Sequence, residues 1–164
     1  MEIRPIRADE GLRLRDLRLR SLADAPAEFG ETLAQAQARS EAFWHERAAR
    51  NAAGIEAITF VADEDGHWYG MVTGFFPPDD PQTVHVVGLW VDPAARGRGV
   101  ARALMEAVAG WARTRGAARL QHWVRETNTA VIAFHERGGY ARTGKTKPHA
   151  LNSSLHDVHM AREL

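Results

Sequence analysis

Apolar and polar positions change their period several times along the chain, and each change marks an element. Thr83-Val84-His85-Val86-Val87-Gly88-Leu89-Trp90-Val91 is a run rich in β-branched residues and closed by Asp92-Pro93, the pattern of a buried strand. Gly88 inside that run predicts a bulge or a close approach of a ligand. From Val100 the period lengthens. Val100, Leu104, Val108 and Trp111 recur at helical spacing, and Gly116 is placed to end the helix. Residues 119–124 predict a second strand. Asn128 then precedes a short helix holding Val131, Ile132 and Phe134, which leaves through Gly138-Gly139-Tyr140.

Before this block, residues 2–7 read as a first strand. Residues 12–20 alternate like a strand, but their length and their weight of Leu and Arg favour a helix. Residues 25–30 form a loop, and residues 31–50 one helix carrying Phe43 and Trp44 and closed by Gly54. Residues 55–62 and 67–76 predict a hairpin across Asp63-Glu64-Asp65-Gly66, with a proline-rich turn over 77–81. Two short strands follow Tyr140, the last near residues 156–161. The order predicts an α/β fold: a mixed, mostly antiparallel sheet of six or seven strands with about four helices on its faces.

The chain has 164 residues, enough for one domain with a substantial core, and residues 1–164 are expected to form one. Its formal net charge is zero, so no general attraction to nucleic acid or an acidic membrane is expected. It contains no cysteine, which excludes disulfides, thiolate metal sites and a cysteine nucleophile. The start, Met1-Glu2-Ile3-Arg4-Pro5, lacks the apolar stretch of a signal peptide, and no segment is long enough to span a bilayer, so a cytoplasmic protein is expected. His156 and Asp157 would point to opposite faces of a strand, and no metal site is expected there. The five tryptophans are expected in the core. Arg13, Arg15, Arg18 and Arg20 spread around a helix, which reads as a solvated surface rather than a nucleic-acid patch.

The chemistry concentrates in Arg96-Gly97-Arg98-Gly99-Val100-Ala101-Arg102, between the buried strand and the amphipathic helix. A glycine-rich turn opening a helix presents backbone N–H groups at the positive end of the helix dipole, an arrangement that binds phosphate. A dinucleotide-binding G-x-G-x-x-G match fails at its sixth position, Arg102, and the acidic residue expected downstream is met only by the distant Glu126.

Leu89-Trp90-Val91-Asp92-Pro93-Ala94-Ala95-Arg96-Gly97-Arg98-Gly99-Val100-Ala101, followed by Asn128, Phe134-His135-Glu136 and Gly139-Tyr140, resembles the two signature motifs of the Gcn5-related N-acetyltransferases. The resemblance covers about a third of the chain. It implies acetyl-CoA as acyl donor, no metal, and direct transfer of an acetyl group to a primary amine of a small molecule or peptide in a ternary complex. It also implies that the backbone of Leu89, Trp90 and Val91 lines the pantetheine arm, with the pyrophosphate on the N–H groups from Gly97 to Arg102 and Arg96, Arg98 or Arg102 adding side-chain contacts. Asn128 would contact the cofactor. His135 stands where family members often carry a tyrosine acid, and either protonates the departing thiolate or lines the cofactor. A homodimer is a frequent family arrangement. The absence of that tyrosine leaves a second reading, a non-catalytic acyl-CoA-binding module.

The base has three candidates: His85, His122 and Glu28. A lysine-like amine needs one because removing its proton at neutral pH costs about 4–5 kcal/mol, whereas an α-amine costs about 1 kcal/mol. Strict alternation puts His85 and Leu89 on one face of the strand; a bulge at Gly88 reverses that parity. Phe29 is the candidate for lining the acceptor site, with Glu28 and His122 near it. The acceptor itself has no readable motif.

Overall fold

The computed structural model describes residues 1–164. Seven strands form one sheet: β1 (Glu2–Pro5), β2 (Ala57–Glu64), β3 (His67–Phe75), β4 (Thr83–Val91), β5 (Arg119–Arg125), β6 (Ala141–His149) and β7 (Asn152–Glu163). Their order across the sheet is β1-β2-β3-β4-β5-β7-β6, and β4–β5 is the one parallel pair. Five α-helices cover it: α1 (Gly11–Asp24), α2 (Leu33–Gln37), α3 (Glu41–Ala53), α4 (Val100–Thr114) and α5 (Thr129–Arg137).

Alternation along the strands sorts the apolar side chains into two cores. On one face, Leu104, Met105 and Val108 of α4 and Ile132 of α5 pack on Phe60, Val72, Val84, Val86 and Leu120. On the other, Leu14, Leu17 and Leu22 of α1 and Trp44 and Ala48 of α3 pack on Val61, Met71 and Trp90. Trp44, Trp68, Trp90 and Trp111 are buried; Trp123 is half-buried, with Lys147 Nζ 4.4 Å from its ring.

Most predicted elements are present, and three expectations need correction. Residues 31–50 form two helices, because Thr32 and Ser40 each start one. Thr32 makes a capping box with Gln35, and the Ser40 hydroxyl accepts from Phe43 N–H at 3.1 Å. Gly54 ends α3 in the left-handed conformation, as expected. The last two strands, β6 and β7, are long rather than short: nine and twelve residues. Their exposed polar stretches carry no period-two signal. Finally, the α1 arginines are not simply solvated: Arg13 pairs with Glu10, Arg18 with Glu31 and Arg20 with Asp92.

Candidate active site

β4 is the hinge of the site. Its register with β3 moves by one residue between Met71↔Trp90 and Thr73↔Val87, and Gly88 has φ +66° within that shift. This is the bulge that Gly88 predicts, and it reverses the parity of the strand. Val84 and Val86 face α4 before it, and Leu89 and Val91 face α4 after it. His85 therefore lies on the opposite face from Leu89, toward α1. β4 and β5 pair over Thr83–His85 with Arg119–Gln121, and beyond that point the two strands have no pairing. The gap leaves one edge of the β4 backbone open from the bulge onward.

Past β4, a short 3₁₀ turn (Pro93–Ala95) leads into the glycine turn. Gly97 and Gly99 have φ of +76° and +79°, and a Cβ added at either would meet nothing within 4 Å. From Gly97 to Arg102, six consecutive N–H groups donate to no backbone or side-chain acceptor. The three arginines differ. Arg96 holds the turn in place: its Nε donates to Val91 O at 3.0 Å and its Nη2 to Asp24. Asp24 also accepts from Trp90 Nε1 at 2.9 Å, so one carboxylate ties the end of α1 to β4 and the turn. Those contacts, the Trp90 bond foremost, hold its carboxyl below the usual range. Arg98 lies 3.6 Å from Glu64. Arg102 has no ion pair and lines a cleft of about 150 Å³ with Met105, Phe134, Arg137 and Tyr140.

Asn128 caps α5, its Oδ1 accepting from Val131 N–H at 3.2 Å. Its Nδ2 donates to Glu28 Oε2 at 2.7 Å, and Arg125 Nη2 is 3.4 Å from Glu28 Oε1. Glu28, from the loop after α1, is thereby brought to the open end of β5. His135, in the last turn of α5, is buried against His122 and Tyr140, with ring centroids 3.9 Å and 5.4 Å away. Burial lowers the His135 pKa to about 4. His122 is pushed well below its ordinary value by burial first and by His135 and His159 second. Both imidazoles are neutral at pH 7. His122 lies on the α4 face against His135 and Tyr140, whereas Phe29 belongs to the core on the opposite face.

On the α1 face a polar row crosses four strands. Gln121 Nε2 meets His85 Nε2, Gln121 Oε1 is 2.9 Å from His159 Nε2, and His159 Nδ1 is 2.7 Å from Thr143 Oγ1. Burial lowers the His85 pKa. Phe29 is buried in the α1–α3 core with the Arg18 guanidinium 4.5 Å from its ring. Asp24 and Gln121 were not among the residues that sequence patterns single out, and Arg18 and Tyr140 were named there without a site role. Their roles come from partners distant in the chain, and Tyr140 alone had a motif position. His149 Nδ1 lies 2.9 Å from Asp157 Oδ1, away from this site.

The family model described as acetyltransferase (GNAT) family matches residues 19–140. The chain belongs to that family. Among curated GNAT relatives, the mycothiol acetyltransferase of Salinispora arenicola is 35% identical over 129 residues, covering 77% of this chain and 39% of the relative. The L-2,4-diaminobutyric acid acetyltransferase of Streptomyces coelicolor is 38% identical over 90 residues, covering 51% of this chain and 53% of the relative. The chain thus spans between two-fifths and about half of the length of these curated relatives. The Salmonella typhimurium yncA structure, which holds its cofactor acetyl-CoA, superposes with a TM-score of 0.81 at 18% identity, covering 100% of this chain and 94% of that one. At that identity the likeness is one of fold, and the fold is the GNAT fold. No helix is long and apolar enough to cross a membrane.

Proposed function

We propose that this GNAT chain transfers an acetyl group from acetyl-CoA to a primary amine by direct attack in a ternary complex. The observation that carries the reading is the run of six unengaged N–H groups from Gly97 to Arg102, continuous with the open β4 edge. Each feature answers to a part of the donor. The N–H groups at the start of α4 suit a pyrophosphate, and the two glycines leave the space it needs. The β5-facing edge of the backbone at Leu89, Trp90 and Val91, which has no strand partner on that side, suits an amide-bearing arm that hydrogen-bonds like a strand. That Arg102, alone of the three arginines, has no protein partner supports it as the side-chain phosphate contact, with Arg98 second. Arg96 serves by fixing the turn.

The chemistry needs few side chains. A backbone N–H freed by the bulge around Leu89 polarises the thioester carbonyl and stabilises the oxyanion as it forms. The amine nitrogen bonds to the carbonyl carbon, the C–S bond breaks, and CoA leaves as a thiolate. Its thiol pKa near 8.5 makes it a tolerable leaving group without an acid. The proton lost by the amine passes to His85 or to water held by it. Burial lowers the His85 pKa, so it is neutral near pH 7, and it stands on the α1 face between Phe75 and Gln121. His135, also neutral and enclosed, lines the site rather than acting as a strong acid.

Two measurements test this. Isothermal titration should give binding of acetyl-CoA and CoA but not NAD. Release of free thiol from acetyl-CoA should rise when amines are added. Binding without amine-dependent release would instead identify a non-catalytic acyl-CoA module.

A further inference from the structure

We infer that the acceptor amine carries a carboxylate one or two carbons from its nitrogen, and that Arg18 binds that carboxylate. The inference deepens the transferase reading above and rests on it.

Arg18 belongs to α1 and turns inward, with its side chain 16% exposed. Two of its nitrogens are occupied: Nε and Nη2 both donate to Glu31 Oε2 at 3.2 Å. Its third, Nη1, has no protein acceptor. A Cβ built at Gly88 would have that Nη1 as its nearest neighbour, at 3.9 Å. The free donor edge of a fixed guanidinium therefore looks onto the bulge where β4 opens. The Phe29 ring beneath the guanidinium and the two bonds to Glu31 hold it in that direction.

The local charges do not balance. Glu31 is shared with Arg39, whose Nε donates to Oε1 at 2.8 Å. Arg47 on α3 stands against the same group, 5.8 Å from the Phe43 ring, and makes no ion pair or hydrogen bond. Two guanidinium groups thus share one carboxylate, and a third stands near it without a partner. Burial pulls the pKa of both Arg18 and Arg47 down, the signature of cations held away from water with too little compensation. The other carboxylate of this loop, Glu28, is taken up by Asn128 and Arg125. A guanidinium that lies on an aromatic ring, shares its one carboxylate and keeps a free nitrogen at the bulge suits an anion from outside the chain.

Distance narrows the anion. A carboxylate oxygen about 2.8 Å from Nη1 lies against the bulge. The attacking nitrogen must stand about 3–3.5 Å from the carbonyl carbon at the same place. Both conditions are met when the amine and carboxylate share a carbon or adjoin through two, as in an α- or β-amino acid. A long diamine or a protein lysine leaves Arg18 Nη1 without a partner.

The test is thiol release from acetyl-CoA with each common L-amino acid, β-alanine, and the matching carboxamides, on wild type, Arg18→Gln and Arg18→Lys. The wild type should favour a carboxylate over its amide by at least about tenfold in kcat/KM, mostly through KM. Arg18→Gln should bring the ratio near one, with acetyl-CoA affinity unchanged, and Arg18→Lys should fall between. Equal rates on acid and amide in the wild type, which needs no variant to fold, would overturn the inference. So would a preference that survives Arg18→Gln. Faster transfer from succinyl-CoA than from acetyl-CoA, lost in Arg18→Gln, would put the carboxylate on the donor and overturn it as well. If no amine is acylated, the transferase reading fails, and the carboxylate site is judged by titrating the CoA-loaded protein with N-acetylglycine and N-acetylglycinamide. Tighter binding of the acid, abolished by Arg18→Gln, supports it; indistinguishable binding overturns it.

Discussion

The rings of His122 and His135 stand 3.9 Å apart, and neither Nδ1 meets a hydrogen-bond partner. Two buried imidazoles packed in this way resist protonation, and that resistance makes stability depend on pH. The folded pKa of His135, about 4, lies below the unfolded value near 6.5. Between those values the unfolded chain binds the extra proton, so stability is full above about pH 6.5 and falls as pH drops toward 4. At pH 5 the loss from such a group is up to about 2 kcal/mol. Urea unfolding at pH 7.5 and pH 5 should show the decline, and His135→Phe should reduce it. Equal pH dependence in the two proteins would mean that His135 is not held neutral.

The same burial bears on catalysis. A histidine kept neutral is a poor donor to the departing sulfur, and that sulfur leaves tolerably alone. His135→Phe should keep acetyl-CoA affinity within a few fold and lose no more than about tenfold in turnover, less than the 10²–10⁴-fold of strong general catalysis. His135→Tyr should remain active. Complete inactivity of the phenylalanine variant with normal cofactor binding would make His135 the acid.

Gly99→Glu tests the turn. Its Cβ would meet no atom within 4 Å, so the fold should tolerate it, apart from roughly 1 kcal/mol for a non-glycine residue at φ +79°. The carboxylate would then stand among the free N–H groups and repel phosphate. Calorimetry should find acetyl-CoA binding abolished while Gly99→Ala retains part of it. Normal affinity in a folded Gly99→Glu protein would remove the phosphate role from this turn.

The stretch from β4 to α5 was legible because its constraints are local. A glycine inside a β-branched run marks a bulge, and Asn128 before an apolar triplet marks a cap. What could not be read depends on partners far along the chain. Arg18 looks like any helix-surface arginine until Glu31 and Gly88 are brought beside it. Asp24 sits at the end of a helix, and nothing near it in sequence points to Trp90 or Arg96. The break between α2 and α3 was present in Thr32 and Ser40, both good caps, but alanine-rich flanks concealed it.

Asp24→Ala should show how far that tie matters. It leaves the Trp90 indole and the Arg96 guanidinium without their shared acceptor, a loss of about 1–3 kcal/mol when the donors are partly buried. Because Arg96 fixes the glycine turn, acetyl-CoA affinity should fall with stability. Asp24→Asn, which still accepts from Trp90, should recover most of the stability. An alanine variant that melts like wild type and binds acetyl-CoA equally well would reduce Asp24 to a surface contact.

His85 carries the last prediction. Its Nε2 faces the Gln121 amide, whose other atom meets His159, so which imidazole nitrogen is free to accept a proton depends on how that amide is turned. With the Gln121 oxygen toward His85, Nδ1 becomes an acceptor and can take the proton of an attacking amine. Removing the base should matter most where the amine arrives protonated. His85→Ala should therefore lower turnover most below the pKa of the amine and regain part of the loss as pH rises. Gln121→Glu supplies the sharper check, because a carboxylate beside the ring favours the imidazolium and raises the pKa that burial now lowers. The acid limb of the kcat profile should move to higher pH in that variant, and the shift should vanish when His85→Ala is added. A constant ratio of His85→Ala to wild-type rates across pH, together with an unmoved limb in Gln121→Glu, would exclude His85 as the base and leave the proton to solvent.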